Sequence, residues 1–251
     1  MKEKTKNLLP PVLLIFCLLA LWQVGSGVVN IEHIFPGPLE ILKKTWELRE
    51  TLFLKQLPST LTTIVVGWLL AAALGIVLAT LMHFSSVAEA MLHPALVITQ
   101  TIPVMCISPL FVLWFGYTVA ARVIAVVLST FFAITLNTFD GLQRADREKI
   151  ELMESMGAGR RDIFFSMEVP SAIPMFITGL KMTLPWAVID AAVAEWLGAT
   201  QGLGYFSRRM IIRMDGAAVF APVLILTVLA LLGMAALGML DRKCAGYRAE
   251  L

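Results

Sequence analysis

The segment ELMESMGAGRRDIFFSMEVP, residues 151–170, separates two long apolar parts of the chain. Six of its twenty residues are acidic or basic, yet it also carries Ile163, Phe164, Phe165 and Met167. A charged, amphipathic segment between apolar runs is typical of a connection between membrane-spanning helices. The segment therefore predicts a polytopic membrane protein, provided that its flanks are long enough to span a bilayer.

The flanking sequence meets this condition. Of the 251 residues, 58% are hydrophobic and 15% are charged, and the mean hydropathy is +0.81. A soluble domain carries roughly 25% charged residues. Five runs contain no Asp, Glu, Lys or Arg: Asn7–Ile31, Gln56–Met82, Ala90–Ala121, Val123–Phe139 and Gly216–Leu240. Most exceed the roughly 20 residues that a helix needs to cross the hydrocarbon core, and helices satisfy their own backbone groups in lipid.

We predict an all-α polytopic membrane protein with six transmembrane helices, at residues 8–25, 59–82, 92–115, 119–140, 171–195 and 217–240. The basic start MKEKTKN and the first run also resemble a secretory signal peptide, but the polytopic remainder favours an uncleaved first span. Lys2, Lys4 and Lys6 precede this span, and the next basic residue is the distant Lys43. The positive-inside rule therefore places both termini in the cytoplasm.

The segment 26–57 is then predicted on the outer side. Its apolar residues alternate with charges at helical spacing, and Pro36 and Pro38 interrupt it early. We expect a helix over Pro38–Leu54 that either lies along the outer membrane surface or packs against the spans as a loop helix. The chain thus divides into residues 1–57 with the first span, a core of five spans at 58–240, and a cytoplasmic tail at 241–251.

Several function classes are not indicated. Cys17, Cys106 and Cys244 are odd in number and widely spaced, so neither a disulfide framework nor a metal site is predicted. A net charge of +2 does not suggest a nucleic-acid partner. The sequence has no G-x-x-x-x-G-K-[ST] loop and no G-x-S-x-G motif, so no residue is predicted to be catalytic and no nucleotide to be bound by this chain.

The connection at 141–170 is the longest one predicted on the cytoplasmic side. Lys149–Glu154 and Arg160–Glu168 have helical patterns, and Gly157 and Gly159 lie between them. Because Gly tolerates a positive φ, we predict a helix, a glycine turn and a second helix that leads into the fifth span. The apolar residues of the second helix must pack on the membrane surface, on neighbouring spans or in a groove of a soluble partner, and the pattern alone does not choose.

This connection resembles the coupling loop of permease subunits of bacterial ABC importers. The signature of that loop runs Glu-Ala-Ala, three residues, Gly, nine residues, and then Ile-x-Leu-Pro. Glu151 and Gly157 stand in register with it, and Met167-Glu168-Val169-Pro170 follows at the same spacing. The two alanines are replaced by Leu152 and Met153, which suggests an altered fit to the partner.

The resemblance extends over about residues 58–215 and is to the nitrate, sulfonate and taurine branch of the family, which includes permeases for pyrimidine precursors of thiamine. It is carried by PVMCISPLFVLWFG at 103–116, by Asn137-Thr138 with Gly141-Leu142, and by Gly179-Leu180-Lys181, Glu195 and Gly202-Leu203-Gly204-Tyr205. Each piece alone is weak, but they share the order and spacing of the branch.

The resemblance implies the type I importer (MetI-like) permease fold in the bacterial cytoplasmic (inner) membrane. It implies a second permease copy, in a homodimer, that completes the pathway through the lipid bilayer. It also implies two cytoplasmic ABC ATPase subunits, which bind ATP and Mg²⁺, and an extracytoplasmic solute-binding protein. The expected cycle is alternating access driven by closure of the ATPase subunits.

The same resemblance assigns two contact regions. The coupling loop would dock in a cleft of the ATPase with Glu151, Gly157, Ala158, Arg160, Arg161, Ile163, Phe164 and Pro170. Phe164 and Phe165 would be its anchors, with Arg160, Arg161 and Asp162 as a charged rim. The alternative is a solvated charge run whose aromatic residues face the core. The binding protein would dock on the 198–216 loop, at Gly202, Gly204, Arg208 and Arg209.

Three ionisable residues fall within the fifth span, where they are costly and indicate function. Lys181 and Glu195 share a helical face to within about 40° and match the family pattern, so we expect them to be structural anchors. Asp190 lies on the opposite face, in a stripe with Thr183 and Trp186.

We predict that Gln100, Thr183, Trp186 and Asp190 line the pore. The alternative is that Asp190 hydrogen-bonds a polar side chain of another span, such as Asn137 or Gln100, or is protonated in a dry interface. The resemblance implies as solute a small organic nutrient or an anion, of the nitrate, sulfonate or taurine type or of the thiamine-pyrimidine-precursor type. A carboxylate in the pore would repel anions and would therefore favour an organic solute that is cationic or zwitterionic.

Two other function classes remain open at this point. An intramembrane enzyme would have to use Asp190, Glu195 and Lys181. A secondary transporter would show an inverted repeat between its halves, and none is visible in the sequence.

Overall fold

The computed structural model describes residues 2–29, 31 and 33–245, and these are almost entirely helical. The α-helices are α1 Lys2–Val29, α2 Pro38–Glu47, α3 Leu57–Phe84, α4 Ser86–Thr101, α5 Val104–Phe115, α6 Val119–Gln143, α7 Arg147–Ser155, α8 Arg160–Ile163, α9 Val169–Gly198, α10 Leu203–Ile212 and α11 Gly216–Ala245. Two π-helical stretches, Glu50–Gln56 and Phe164–Glu168, continue directly into α3 and α9. The predicted all-α polytopic fold is confirmed.

Four helical segments of the described chain are long and apolar enough to cross a bilayer: Glu50–Phe84, Val119–Gln143, Arg160–Gly198 and Gly216–Arg242. They contain the second, fourth, fifth and sixth predicted spans. The first predicted span lies in α1, whose apolar part Leu13–Val29 is shorter. The predicted tail 241–251 begins inside α11, and its residues 246–251 lie outside the described part of the chain.

The third predicted span, 92–115, is not a single helix. It consists of α4 and α5, which meet at an angle of 93°. The break falls at Ile102, whose extended conformation (φ −87°, ψ 116°) ends α4. A residue that precedes proline is disfavoured in the helical region, so Pro103 explains why the chain leaves the helix here.

The core consists of α3, α6 and α9. Helix α3 runs parallel to α6, and α9 runs antiparallel to both. Glycines allow the backbones to approach: a Cβ atom on Gly75 of α3 would lie 2.9 Å from Ile134 Cγ2, and one on Gly141 of α6 would lie 2.8 Å from Ala172 Cα. Small residues at such contacts are the usual basis of helix packing in membranes, where burial of apolar surface gives no driving force between helices.

The helix expected over Pro38–Leu54 is shorter, because α2 ends at Glu47 and the chain then enters the π-helical stretch before α3. Ile41 is buried, whereas Leu39 and Trp46 on the same helix are exposed. Helix α2 is therefore held against the bundle by one face and presents an apolar second face.

We expect Gly75→Val to destabilise the core, because the added side chain would overlap Ile134. Overpacking of this kind typically lowers the free energy of unfolding by roughly 1–3 kcal/mol. Thermal unfolding of the purified protein in detergent measures the effect, and Gly238→Val is the matched control, since no atom lies within 4 Å of a Cβ at that position. Equal midpoints for the two variants would contradict the close approach of α3 and α6.

Candidate functional site

A cavity of about 410 Å³ lies beside the junction of α4 and α5, where these helices meet α6 and α9. All four residues predicted to line the pore face it: Gln100 from α4, and Thr183, Trp186 and Asp190 from α9. Ser129 of α6 and Pro103 at the α4–α5 junction also line this cavity. The structure therefore brings these predicted residues together around one space.

The side chains around this cavity differ in how much of their hydrogen-bonding capacity is used. Thr183 is buried, accepts a hydrogen bond from the indole N–H of Trp68 (3.1 Å), and donates to the Gly179 carbonyl oxygen (2.9 Å). Trp186 is 61% exposed, and Gln100 is exposed as well. Thr183 therefore has a structural role, and the accessible groups are Gln100, Trp186 and Asp190.

Asp190 is half-buried and lies at the cavity with Ser129 of α6, whose hydroxyl donates to the Val126 carbonyl oxygen (3.0 Å). Asn137, one of the partners considered for it, donates its amide to the Ala133 carbonyl oxygen (2.7 Å) instead. Among the described residues that line the cavity, Asp190 is the only ionisable one. Its carboxylate thus faces the cavity without a basic side chain beside it.

Glu195, one turn further along α9, is fully buried and lies in a network of polar contacts. Its Oε1 is 3.3 Å from the guanidinium of Arg122, and its Oε2 accepts hydrogen bonds from Thr60 Oγ1 (3.0 Å) and the Gly204 backbone N–H (2.9 Å). Arg122 also donates to Ser59 Oγ (3.0 Å). A buried carboxylate is tolerated when it is paired and hydrogen-bonded in this way. The expectation that Glu195 is a structural anchor agrees with these contacts.

The prediction that Gly202 and Gly204 contact a docking protein is corrected, because both are buried. Gly202 has a φ of +124°, and a Cβ atom there would lie 2.2 Å from the Glu195 carboxyl carbon. A Cβ on Gly204 would lie 2.1 Å from the Ala192 carbonyl oxygen. The two glycines let the chain fold back onto α9, so they position the Glu195 network.

The other two residues predicted for docking lie on α10. Arg208 donates to the Trp196 carbonyl oxygen, and its guanidinium is 5.6 Å from the ring centroid of Tyr205. Arg209 is exposed and lies at the same distance from that ring. Of the four predicted residues, Arg209 is thus the one available to a partner.

A charged surface lies at the same end of the bundle, between α2 and the α10–α11 turn. Lys44 Nζ is 3.3 Å from Asp215 Oδ2 and 3.6 Å from Glu47 Oε2. The hydrogen bond to Asp215 raises the pKa of the Lys44 ammonium above its usual value. The backbone N–H of Gly216 donates to the His33 carbonyl oxygen (3.0 Å), which fixes the turn to the segment before α2.

The predicted coupling loop lies at the opposite end of the bundle as a helix, a turn and a second helix. Asp146 caps α7 by accepting from the backbone N–H of Glu148 (3.0 Å). Helix α7 stops at the turn, where Gly157 has a φ of +88°. Gly159, which precedes α8, has a negative φ that residues other than glycine also adopt. The prediction of a helix–glycine turn–helix is confirmed, with the positive φ at Gly157 alone.

The side-chain directions in this loop differ from the expected ones. Ile163 is 1% exposed, and Phe164 packs on Phe84 with ring centroids 4.9 Å apart, so these two residues point into the chain itself. The exposed apolar residues are Leu152 (60%), Met156 (79%) and Phe165 (68%). Of the two predicted anchors, Phe164 is half-buried against α3 and Phe165 is exposed, so the docking of this loop on a partner stays a prediction.

Glu168, the last residue before α9, connects this loop to α3 through a polar contact with His83. Its Oε2 is 2.8 Å from His83 Nε2, its Oε1 is 3.9 Å from Arg160 Nη2, and it is 3% exposed. Glu151 and Arg160 line an adjacent polar cavity of about 460 Å³. Pro170 stands in the first turn of α9, directly after the π-helical stretch Phe164–Glu168.

Lys181, also predicted to be an anchor, forms an ion pair with Asp241 of α11 (2.7 Å).

Sequence reasoning did not single out Arg122, His83 or Glu168 as site residues. Arg122 carried a signal, since it is the one charge between two uncharged runs and such a residue needs a buried partner.

Six predicted spans, a broken third span and an amphipathic connection before the fifth define a permease subunit of a membrane transport system. Residues 71–246 match the model of the family described as "Binding-protein-dependent transport system inner membrane component", and the chain belongs to this family. It is therefore a transport subunit that forms part of a substrate pathway in the inner membrane, and it is not an enzyme. The secondary-transporter and enzyme alternatives are excluded.

Named relatives place the chain within the family. The formylaminopyrimidine transport permease of Halalkalibacterium halodurans is 45% identical over 246 residues, which are 98% of each chain. A putative aliphatic sulfonates transport permease of Bacillus subtilis is 30% identical and matches 97% of this chain and 87% of its own length. The predicted resemblance to the nitrate, sulfonate, taurine and thiamine-precursor branch is confirmed.

A solved structure shows the same fold. The inward-facing MetNI methionine ABC transporter contains a chain that superposes with a TM-score of 0.64 at 19% identity, over 74% of this chain and 93% of that one. The predicted type I importer (MetI-like) fold is confirmed.

We expect Arg122→Met to destabilise the protein strongly, because it leaves the carboxylate of Glu195 buried without its cation. Breaking a buried ion pair from one side typically costs about 3–5 kcal/mol. The double variant Arg122→Met, Glu195→Gln is expected to recover part of this loss, since no buried charge remains. Thermal unfolding of the two variants measures the difference; a single variant as stable as the wild type would show that the pair does not hold this end of the bundle.

Proposed function

We propose that the chain is the transmembrane subunit of an ATP-driven importer for formylaminopyrimidine or a closely related aminopyrimidine nutrient. The observation that carries this proposal is the 45% identity to a formylaminopyrimidine permease over 98% of both chains. Sulfonate permeases of the same branch are more distant, at 30% identity. A solute from the thiamine-precursor group is thus the assignment that these comparisons favour.

In the proposed orientation both termini lie in the cytoplasm. The end of the bundle that carries α7 and α8 then faces the cytoplasm, and the end that carries the Glu195 network and Arg209 faces outward. The basic residues before α1 support this orientation, as do Arg144, Arg147 and Lys149 at the loop end.

The cytoplasmic ATPase is proposed to bind the surface formed by α7 and the glycine turn. Leu152 and Met156 expose their apolar side chains there, next to the charged Glu151 and Arg161. An apolar centre with a charged rim is the usual composition of a docking surface. ATP and Mg²⁺ are bound by that partner, and two ATPase copies serve two permease copies.

The unbroken helix over Arg160–Gly198 supports a route by which movement of the loop reaches the cavity. Its first turn follows directly on the proposed ATPase contact, and Asp190 lies near its other end. The contact between His83 and Glu168 joins the same movement to α3. We therefore propose that ATP binding to the ATPase displaces the loop, and that α9 and α3 tilt together as a result.

A second copy of the chain is proposed to cover the cavity. Trp186 and Gln100 are exposed in the single chain, and a pathway through the bilayer needs a wall on that side. The solute-binding protein is proposed to dock on the outward end, at Arg209 of α10 and the charged surface around Lys44. Homodimerisation fits a chain that supplies one half of such a pathway.

The transport proposal predicts ATP-dependent uptake of formylaminopyrimidine. Proteoliposomes that contain the permease, its ATPase and its binding protein are expected to accumulate radiolabelled solute with ATP and not with a non-hydrolysable analogue. An aliphatic sulfonate added in excess serves as the competitor and is expected to leave uptake unchanged. Uptake of sulfonate in place of the pyrimidine would overturn the assignment.

The docking proposal predicts that Met156→Glu uncouples the ATPase. A carboxylate at this exposed apolar position would have to be desolvated on docking, so we expect at least about a tenfold loss of affinity between permease and ATPase, equivalent to 1.4 kcal/mol. Co-purification and ATP-dependent uptake measure it. The control is Met156→Leu, which keeps an apolar side chain at the same exposed position. Normal uptake by the Met156→Glu variant would place the ATPase elsewhere.

A further inference from the structure

We propose that the cavity beside the α4–α5 junction is a solute-binding site for an aminopyrimidine, in which Asp190 accepts hydrogen bonds from the amino group and the protonated ring nitrogen and Trp186 stacks on the ring. This inference rests on the proposed function and assigns its specificity to residues of the permease itself. Three observations on the described residues support it.

The first observation is the isolated charge of Asp190. Lys181 and Glu195 on the same helix each have an oppositely charged partner, at 2.7 Å and 3.3 Å. The Ser129 hydroxyl at the cavity donates to the Val126 carbonyl oxygen (3.0 Å), and no basic side chain is among the described residues that line the cavity with Asp190. A carboxylate in an apolar surrounding is costly unless it is paired. A solute that presents a protonated or hydrogen-bond-donating edge supplies the missing partner.

The second observation is the position of Trp186. It lies four residues before Asp190 on α9, so the two side chains are neighbours on one helical face. Its indole is 61% exposed at the cavity although it lies within a membrane-spanning helix. An aromatic surface beside a carboxylate suits a flat heteroaromatic ring that carries donors at its edge.

The third observation is the break between α4 and α5, which brings two helix ends to the cavity. The last residues of α4, including Thr99 and Gln100, and the first residues of α5, including Val104, line it. Helix ends leave backbone groups without intrahelical partners, and discontinuous helices supply solute sites in other transporter folds. The Gln100 amide and these backbone groups are suited to bind the formylamino group, which offers one N–H donor and one carbonyl acceptor.

Together these groups favour one solute class over another. The carboxylate accepts from an amino group and attracts a protonated ring, whereas it repels a sulfonate or nitrate. The site would therefore select aminopyrimidines within a branch whose named relatives also include a sulfonate permease.

The test is direct binding of radiolabelled formylaminopyrimidine to the permease–ATPase complex in lipid nanodiscs, without the binding protein. A hydrogen bond to a charged group is lost in Asp190→Asn, so we expect binding to weaken by about 10- to 100-fold. Asp190→Glu keeps the charge and is expected to bind more tightly than Asp190→Asn. Trp186→Ala, at an exposed position, is expected to weaken binding as well, and Trp114→Ala, also exposed but outside the cavity, is the matched control.

The outcomes separate this inference from the transport assignment. If wild-type complex takes up and binds the solute and both Asp190→Asn and Trp186→Ala bind it as tightly, the site is refuted while the proposed function stands. If wild-type proteoliposomes fail to take up formylaminopyrimidine at all, the proposed function is refuted, and the solute assignment of the cavity with it. Weaker binding by both variants, with the Trp114 control unchanged, supports the site.

Discussion

The packing of one unbroken helix, Arg160–Gly198, against α3 and α6 is the constraint on which the rest of the structure depends. At 1.5 Å per residue, its 39 residues extend over about 58 Å, which exceeds the thickness of the hydrocarbon core. Polar contacts fasten it near both ends, through His83 and Glu168 at one and through Arg122 and Glu195 at the other. Between these ends, the backbones of α6 and α9 approach closely at Gly141 and Ala172. The loop, the cavity and the glycine turn after α9 are therefore all attached to this one helix.

The charges along this helix differ in their surroundings, and the difference separates structure from function. Glu195 is fully buried, with an arginine, a threonine and a backbone N–H around it. Lys181 is fixed to α11 by Asp241. Asp190 faces a cavity whose described lining contains no basic side chain. An ionisable side chain without a charged partner destabilises a membrane-spanning segment, and binding of the proposed solute explains why Asp190 stands there.

Much of the fold follows from the sequence, because a helix that crosses a bilayer must be long enough and nearly free of charged residues, and both features can be read from the sequence. The charge-free runs predicted the spans, and Gly157 predicted the turn between α7 and α8. The 93° break in the third span does not follow from Pro103 alone, since the angle depends on what α4 and α5 pack against.

The directions in which the side chains point were harder to predict from the sequence. Ile163 and Phe164 form an amphipathic pattern that suits a partner and a neighbouring span equally well. In the structure Ile163 is buried and Phe164 packs on Phe84 of α3. Gly202 and Gly204 suggested an exposed loop, because nothing local shows that this loop folds back onto Glu195. The four residues predicted to line the pore do share one cavity, because three of them lie on one face of a single helix.

The central claim is that Arg160–Gly198 moves as one body and carries the movement of the loop to the cavity. Structures of the complete importer by electron cryomicroscopy, without nucleotide and with ATP trapped on a hydrolysis-deficient ATPase, test it directly. We predict that residues 160–198 superpose as a single helix in both states, while the cavity beside Asp190 opens to opposite sides of the membrane. A hinge within this helix, with its loop end moving while the segment around Asp190 stays in place, would contradict the account.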